Sequence, residues 1–172
     1  YFVVVDSHTG DTGTFTVSID EVVIPPGENC AGVGAAGGPA SIPLTVFPDG
    51  GATATLTVDN TGYANDTTSS SAGACIGVGT GPDRVYRLDL PAPTASIHAS
   101  LTPNSGSTLD PILSIRPGPC NDLSSSGELA CDYDSSGLPV SIVTGAASGT
   151  VYVWVDGYGG SVGPATLNIT IP

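Results

Sequence analysis

Four cysteines, two histidines and sixteen carboxylates are the side chains with the chemistry to define a function here. Cys30, Cys75, Cys120 and Cys131 allow three disulfide pairings, and none of their spacings is the C-x-x-C of a zinc or thioredoxin-like site. His8 and His98 lie in different strand-like contexts and complete no metal set. Disulfides are therefore the expected fate of the sulfurs, which places the chain in an oxidising compartment, extracellular or at the cell surface. Cys120 and Cys131 bracket a short Ser/Gly loop, whereas a bridge from Cys30 to Cys75 would close a long one. On the chain-entropy account such closures stabilise by about 3 and about 4 kcal/mol.

Carboxylates are the enriched class. Asp59, Asn60, Asn65 and Asp66 form one oxygen-rich stretch, and Asp132 and Asp134 form another just after Cys131. Calcium takes about six to eight such oxygens from flexible loops. Asp132 and Asp134, helped by Asn65 or Asp66, are thus the candidate ligands and calcium the candidate cofactor, although no EF-hand spacing is present. No catalytic residue is assigned, because there is no G-x-S-x-G elbow, no H-E-x-x-H and no phosphate loop. His98 alternates with Ile97 and Ala99 and reads as an outward strand residue, and His8 as a solvated turn residue. The chain is expected not to be an enzyme.

Charge narrows the partners. Arg84, Arg87 and Arg116 are the only cations, and the formal net charge is −13. Every phosphate contact needs a Lys or Arg to displace counterions, so nucleic acid and anionic lipid are excluded as partners. No apolar run has membrane length, and no membrane insertion is expected. Methionine is absent, so Tyr1 reads as the first residue of a processed or excised piece of a longer chain.

The elements that must position these residues are strands. Apolar residues recur with period two at Leu44 and Val46, at Leu56 and Val58, and at Ile97, Ala99 and Leu101. Further strands are expected over 83–90, 111–116, 139–144, 150–156 and 165–171, separated by Gly, Pro, Asn, Asp and Ser clusters. No segment carries a helical stripe, and 24 glycines with 15 prolines punctuate the chain too often for long helices. The predicted fold is all-β, an antiparallel β-sandwich of jelly-roll type preceded by an extra β-hairpin.

That extra element is a repeat. Val3, Val5, Asp6, Gly10, Gly13, Thr16 and Ile19 recur at a constant offset of 150 as Val153, Val155, Asp156, Gly160, Gly163, Thr166 and Ile169. Residues 1–20 therefore read as the terminal hairpin of a preceding copy or as a donor hairpin, 21–28 as a linker through Pro25 and Pro26, and 29–172 as the complete sandwich. An apolar hairpin is marginal alone and needs a partner. Phe2, Val3, Val5, Phe15, Val17 and Ile19 are the expected assembly residues. Tyr152 and Trp154 join them, because they share a strand face opposite Val151, Val153 and Val155 and should face outward.

The order of short motifs resembles the bacterial pre-peptidase C-terminal (PPC) domain. Asn29-Cys30, Asn65-Asp66 and Cys75 are followed by Pro82-Asp83-Arg84-Val85-Tyr86-Arg87-Leu88, similar to that family's Pro-Asp-x-Val-Tyr-x-Phe strand. Asp110-Pro111-Ile112-Leu113-Ser114-Ile115-Arg116, Glu128-Leu129-Ala130-Cys131 and Val151-Tyr152-Val153-Trp154-Val155-Asp156-Gly157 resemble its later strands. The resemblance implies a β-sandwich with Cys30 paired to Cys75 and Cys120 to Cys131. It implies a secreted module found in repeats, whose partners are other copies of the same or a similar domain. The functional expectation is a structural repeat of a surface appendage or filament, joined head to tail by strand complementation. The alternative is an accessory module that targets a secreted hydrolase to protein or carbohydrate.

Overall fold

The computed structural model describes residues 26–30, 36–66, 75, 79–121, 127–133 and 137–172. Among them are ten strands and no helix: β1 (Ala40–Ser41), β2 (Thr45–Val46), β3 (Ala52–Asp59), β4 (Arg84–Asp89), β5 (His98–Pro103), β6 (Pro111–Pro117), β7 (Ala130–Tyr133), β8 (Val140–Val143), β9 (Thr150–Gly157) and β10 (Pro164–Ile171). They form two five-stranded sheets, ordered β1-β4-β9-β6-β7 and β2-β3-β10-β5-β8. All pairings are antiparallel except the short β1–β4 contact. The β-sandwich expected from the alternation is the fold observed.

Alternation decides which side of each strand is dry. Val151, Val153 and Val155 of β9 and Ala165, Leu167, Ile169 and Ile171 of β10 are buried between the sheets. The inward residues of β4, β5, β6 and β8 join the same core, with Leu88, Leu101, Leu113 and Ile142 among them. His98 is exposed on β5, as its place between Ile97 and Ala99 required. At about 25 cal/mol per Å² of apolar surface removed from water, this layer is the main stabilising term of the fold.

Residues 151–171 do not form a hairpin, and the sequence expectation is corrected here. β9 bonds to β4 and β6, whereas β10 bonds to β3 and β5 in the opposite sheet. The connection at 158–163 crosses the sandwich. Period-two alternation on both flanks of a glycine turn is the same for a hairpin and for an arch between sheets, so the pattern alone does not choose. Each strand is the third of five, the centre of its sheet.

Pro26–Cys30 is tied to the sandwich. Gly27 donates to Gly38 O at 2.7 Å and its carbonyl accepts from Val85 N at 2.8 Å, while Glu28 Oε1 accepts from Ala64 N. Residues 1–25, with His8 and the assembly residues Phe2, Val3, Val5, Phe15, Val17 and Ile19, lie outside the described residues.

Candidate functional site

The seven residues that recur at offset 150 all sit at structural keys of β9, β10 and their crossover. Val153 and Val155 have no exposure, and Ile169 is 1% exposed. Gly160 has φ +83°, and Gly163 has φ +143° with Ser107 Oγ occupying the place of a side chain. These are backbone states that L side chains rarely adopt. Thr166 Oγ1 donates to Asn104 Oδ1 at 2.8 Å. Asp156, the seventh, is buried.

Asp156 ends β9 facing Asp83, and both carboxyls are inside the protein. The two side chains hydrogen-bond to each other. Asp83 Oδ2 also accepts from Asp66 N at 2.8 Å, and Asp156 Oδ1 from Gly157 N. Gly79 closes the group, because a Cβ there would overlap Asp156 Oδ2. Burial first, and the Asp83 charge second, push the Asp156 carboxyl up to about 8, against the Gly157 N–H that lowers it. A buried carboxyl beside a second one favours its protonated form.

Asn60, at the end of β3, holds the crossover in place. Its amide nitrogen donates to Pro82 O at 2.9 Å, and its Oδ1 accepts from Gly163 N at 2.9 Å. Sequence reasoning grouped Asn60 with loop oxygens. Its burial comes from the crossover, which a linear pattern does not display. The one available signal for Asp156 was its recurrence as Asp6.

The calcium ligands do not converge. Asp66 is held against Asp83 beside β4, while Asp132 is on β7, three strand steps away across the same sheet. At about 4.8 Å per step this is roughly 14 Å, too far for one coordination sphere. Asp132 Oδ2 accepts instead from Ser141 N at 3.1 Å, and Asn65 lies on the loop beside Asp66. Asp134 lies outside the described residues, among which no three His, Cys, Asp or Glu side chains group as a metal site.

The cysteine pairing is also corrected. Cys30 bonds Cys120, and Cys75 bonds Cys131. Ser114 and Cys131 are register partners on β6 and β7, and β6 runs on to Pro117, about 10 Å further, before the chain turns. That carries Cys120 away from Cys131 and over the outer face of β9, where it packs with Cys30, Val85 and Trp154. Closeness along the chain misled because strand register, not loop length, sets which sulfurs meet.

Tyr152 and Trp154 do point away from the valine face, but they are not a free surface. Trp154 is 5% exposed, buried beside Cys30 and Cys120, and Tyr152 packs against the same group. Among the described residues the exposed aromatics are instead Phe47, Tyr133 and Tyr158, and the two tyrosines stack with ring centroids 6.4 Å apart and planes 8° from parallel. Arg84 lies between the rings of Tyr63 and Tyr86, at 4.9 and 5.0 Å from their centroids, and donates to Asp59 O. Burial pushes the Tyr86 hydroxyl above its ordinary range.

No protein-family model, curated protein or solved structure matches the chain. Between them β9 and β10 make the largest set of register pairs in the sandwich: β10 pairs over eight residues with β3 and six with β5, and β9 over six with β4 and seven with β6. Among the described residues the edge strands β1, β2, β7 and β8 are only two to four residues long. Short edges are poor templates for an added strand.

Proposed function

We propose that the chain is a non-catalytic structural repeat of an extracellular appendage or filament, a PPC-like unit that joins its neighbours by strand complementation. Residues 1–20 supply the two central strands of an adjacent sandwich, as β9 and β10 do in this one. The observation that carries this reading is that all seven recurring residues fall on the keys of the central strand pair. A central slot offers six to eight register pairs on each side of a strand, against at most four on an edge. This favours insertion over edge addition. Two disulfides support an oxidising location. Val5→Asp and Val17→Asp test the reading together: each puts a charge where Val155 and Leu167 are buried in the second copy. Assembly of native material should be lost, while the melting of the 29–172 sandwich stays unchanged. Assembly at the parent level would contradict the reading.

A second reading, an accessory module that binds carbohydrate, is favoured by the exposed parallel rings of Tyr133 and Tyr158. Retention on insoluble polysaccharides, lost in Tyr158→Ala, would support it.

A further inference from the structure

The mismatches between the two copies identify the kind of acceptor that residues 1–20 need. At offset 150, Tyr1 stands for Val151, Ser7 for Gly157, Thr9 for Gly159 and Phe15 for Ala165. Val151 is 1% and Ala165 0% exposed, and this core has no room for a Phe ring at Ala165. Ala165 is flanked by its register partners Val58 and Pro103 on the two neighbouring strands. A Cβ at Gly157 would overlap Ser161 O, and Gly159 has φ +61°, a conformation strained for a β-branched threonine. Val4, in turn, would leave a void where Trp154 fills the space beside Cys30 and Cys120.

From these positions we infer that the acceptor of residues 1–20 is a related but non-identical sandwich, and that the central slot of this chain discriminates against its own N-terminal copy. The inference rests on the assembly reading above. It adds the partner's chemistry: a core hollow opposite Phe15, a crossover that accepts side chains at Ser7 and Thr9, and a buried polar group facing Asp6 as Asp83 faces Asp156. Overpacked and strained positions act together to exclude the wrong occupant, which keeps neighbouring units in a set order.

The test is a graft in the full chain, replacing Val151–Ile169 with the sequence of residues 1–19. Both disulfides lie outside the exchanged segment, so they are untouched. The graft should lose its cooperative melt. A second graft that keeps Val151, Trp154, Gly157, Gly159 and Ala165 should regain it, with a folded population at least roughly tenfold higher. A first graft that melts like the parent would overturn the inference, and so would failure of both grafts, since the five positions would not then carry the discrimination. Melting is read on the isolated chain. Failure here leaves the assembly reading standing, and loss of that reading in the Val5 and Val17 test leaves the graft result unchanged.

Discussion

Asp156 holds a proton at neutral pH because its neighbour is Asp83 and its surroundings are dry. The consequence for stability has a definite sign. The unfolded carboxyl ionises near pH 4, the folded one near 8, so between these values the native state binds the extra proton. Unfolding free energy contributed by this group therefore falls as pH rises through that window, by at most about 1.4 kcal/mol per pH unit, and levels off above it. Asp156→Asn keeps the shape without the titration. Chemical denaturation from pH 5 to 9 should show a flatter profile for the Asn variant and a higher stability than the parent at pH 9, and superimposable profiles would contradict the raised Asp156 carboxyl. This carboxyl pair was not legible in sequence. A lone Asp at a strand end ordinarily faces water, and only the fold brings Asp83, 73 residues earlier in the chain, against it. The cysteines illustrate the same divide, since composition identified the chemistry while pairing waited on the register of β6 and β7.

At the scale of elements, the crossover from β9 to β10 is a constrained part of the fold. Gly163 has φ +143° and Ser107 Oγ in contact range of any added Cβ, whereas Gly106 has φ +82° with open space around it. Gly163→Ala should cost roughly 1–3 kcal/mol for backbone strain and more for the overlap, and Gly106→Ala should stay at the low end of that range. Equal melting temperatures for the two variants would show that the crossover is not a constrained element. Strand positions were readable because one wet and one dry face write a period of two into Ile97, Ala99 and Leu101, and into Val151, Val153 and Val155. Whether two such strands share a sheet was not readable. The same alternation and the same glycines serve a hairpin and an arch, and the sheet order depends on partners more than a hundred residues apart, such as Thr55 and Asn168.

At the scale of the whole molecule, the described residues place β9 and β10 at the centres of the two sheets, and the edge strands among them are short. Among the described residues both central positions are filled, by β9 and β10. Residues 1–20 carry the same alternating Val3, Val5, Phe15, Val17 and Ile19, and burying each such side chain is worth about 1.5–3 kcal/mol. That apolar surface is the drive for assembly in our account, and the mismatches at Ser7, Thr9 and Phe15 give it direction. The net charge of −13 adds a long-range repulsion between units that short-range strand pairing must overcome, so assembly should strengthen as salt screens it.

The most direct measurement is an electron cryo-microscopy reconstruction of the native assembled material at a resolution that traces side chains. The account predicts continuous density in which residues 1–20 of one unit run as the two central strands of the next sandwich, with Val3, Val5, Phe15, Val17 and Ile19 in its core and Asp6 buried at the end of the first strand. Density that places residues 1–20 on the outside of their own sandwich, or along an edge such as β8, would contradict it.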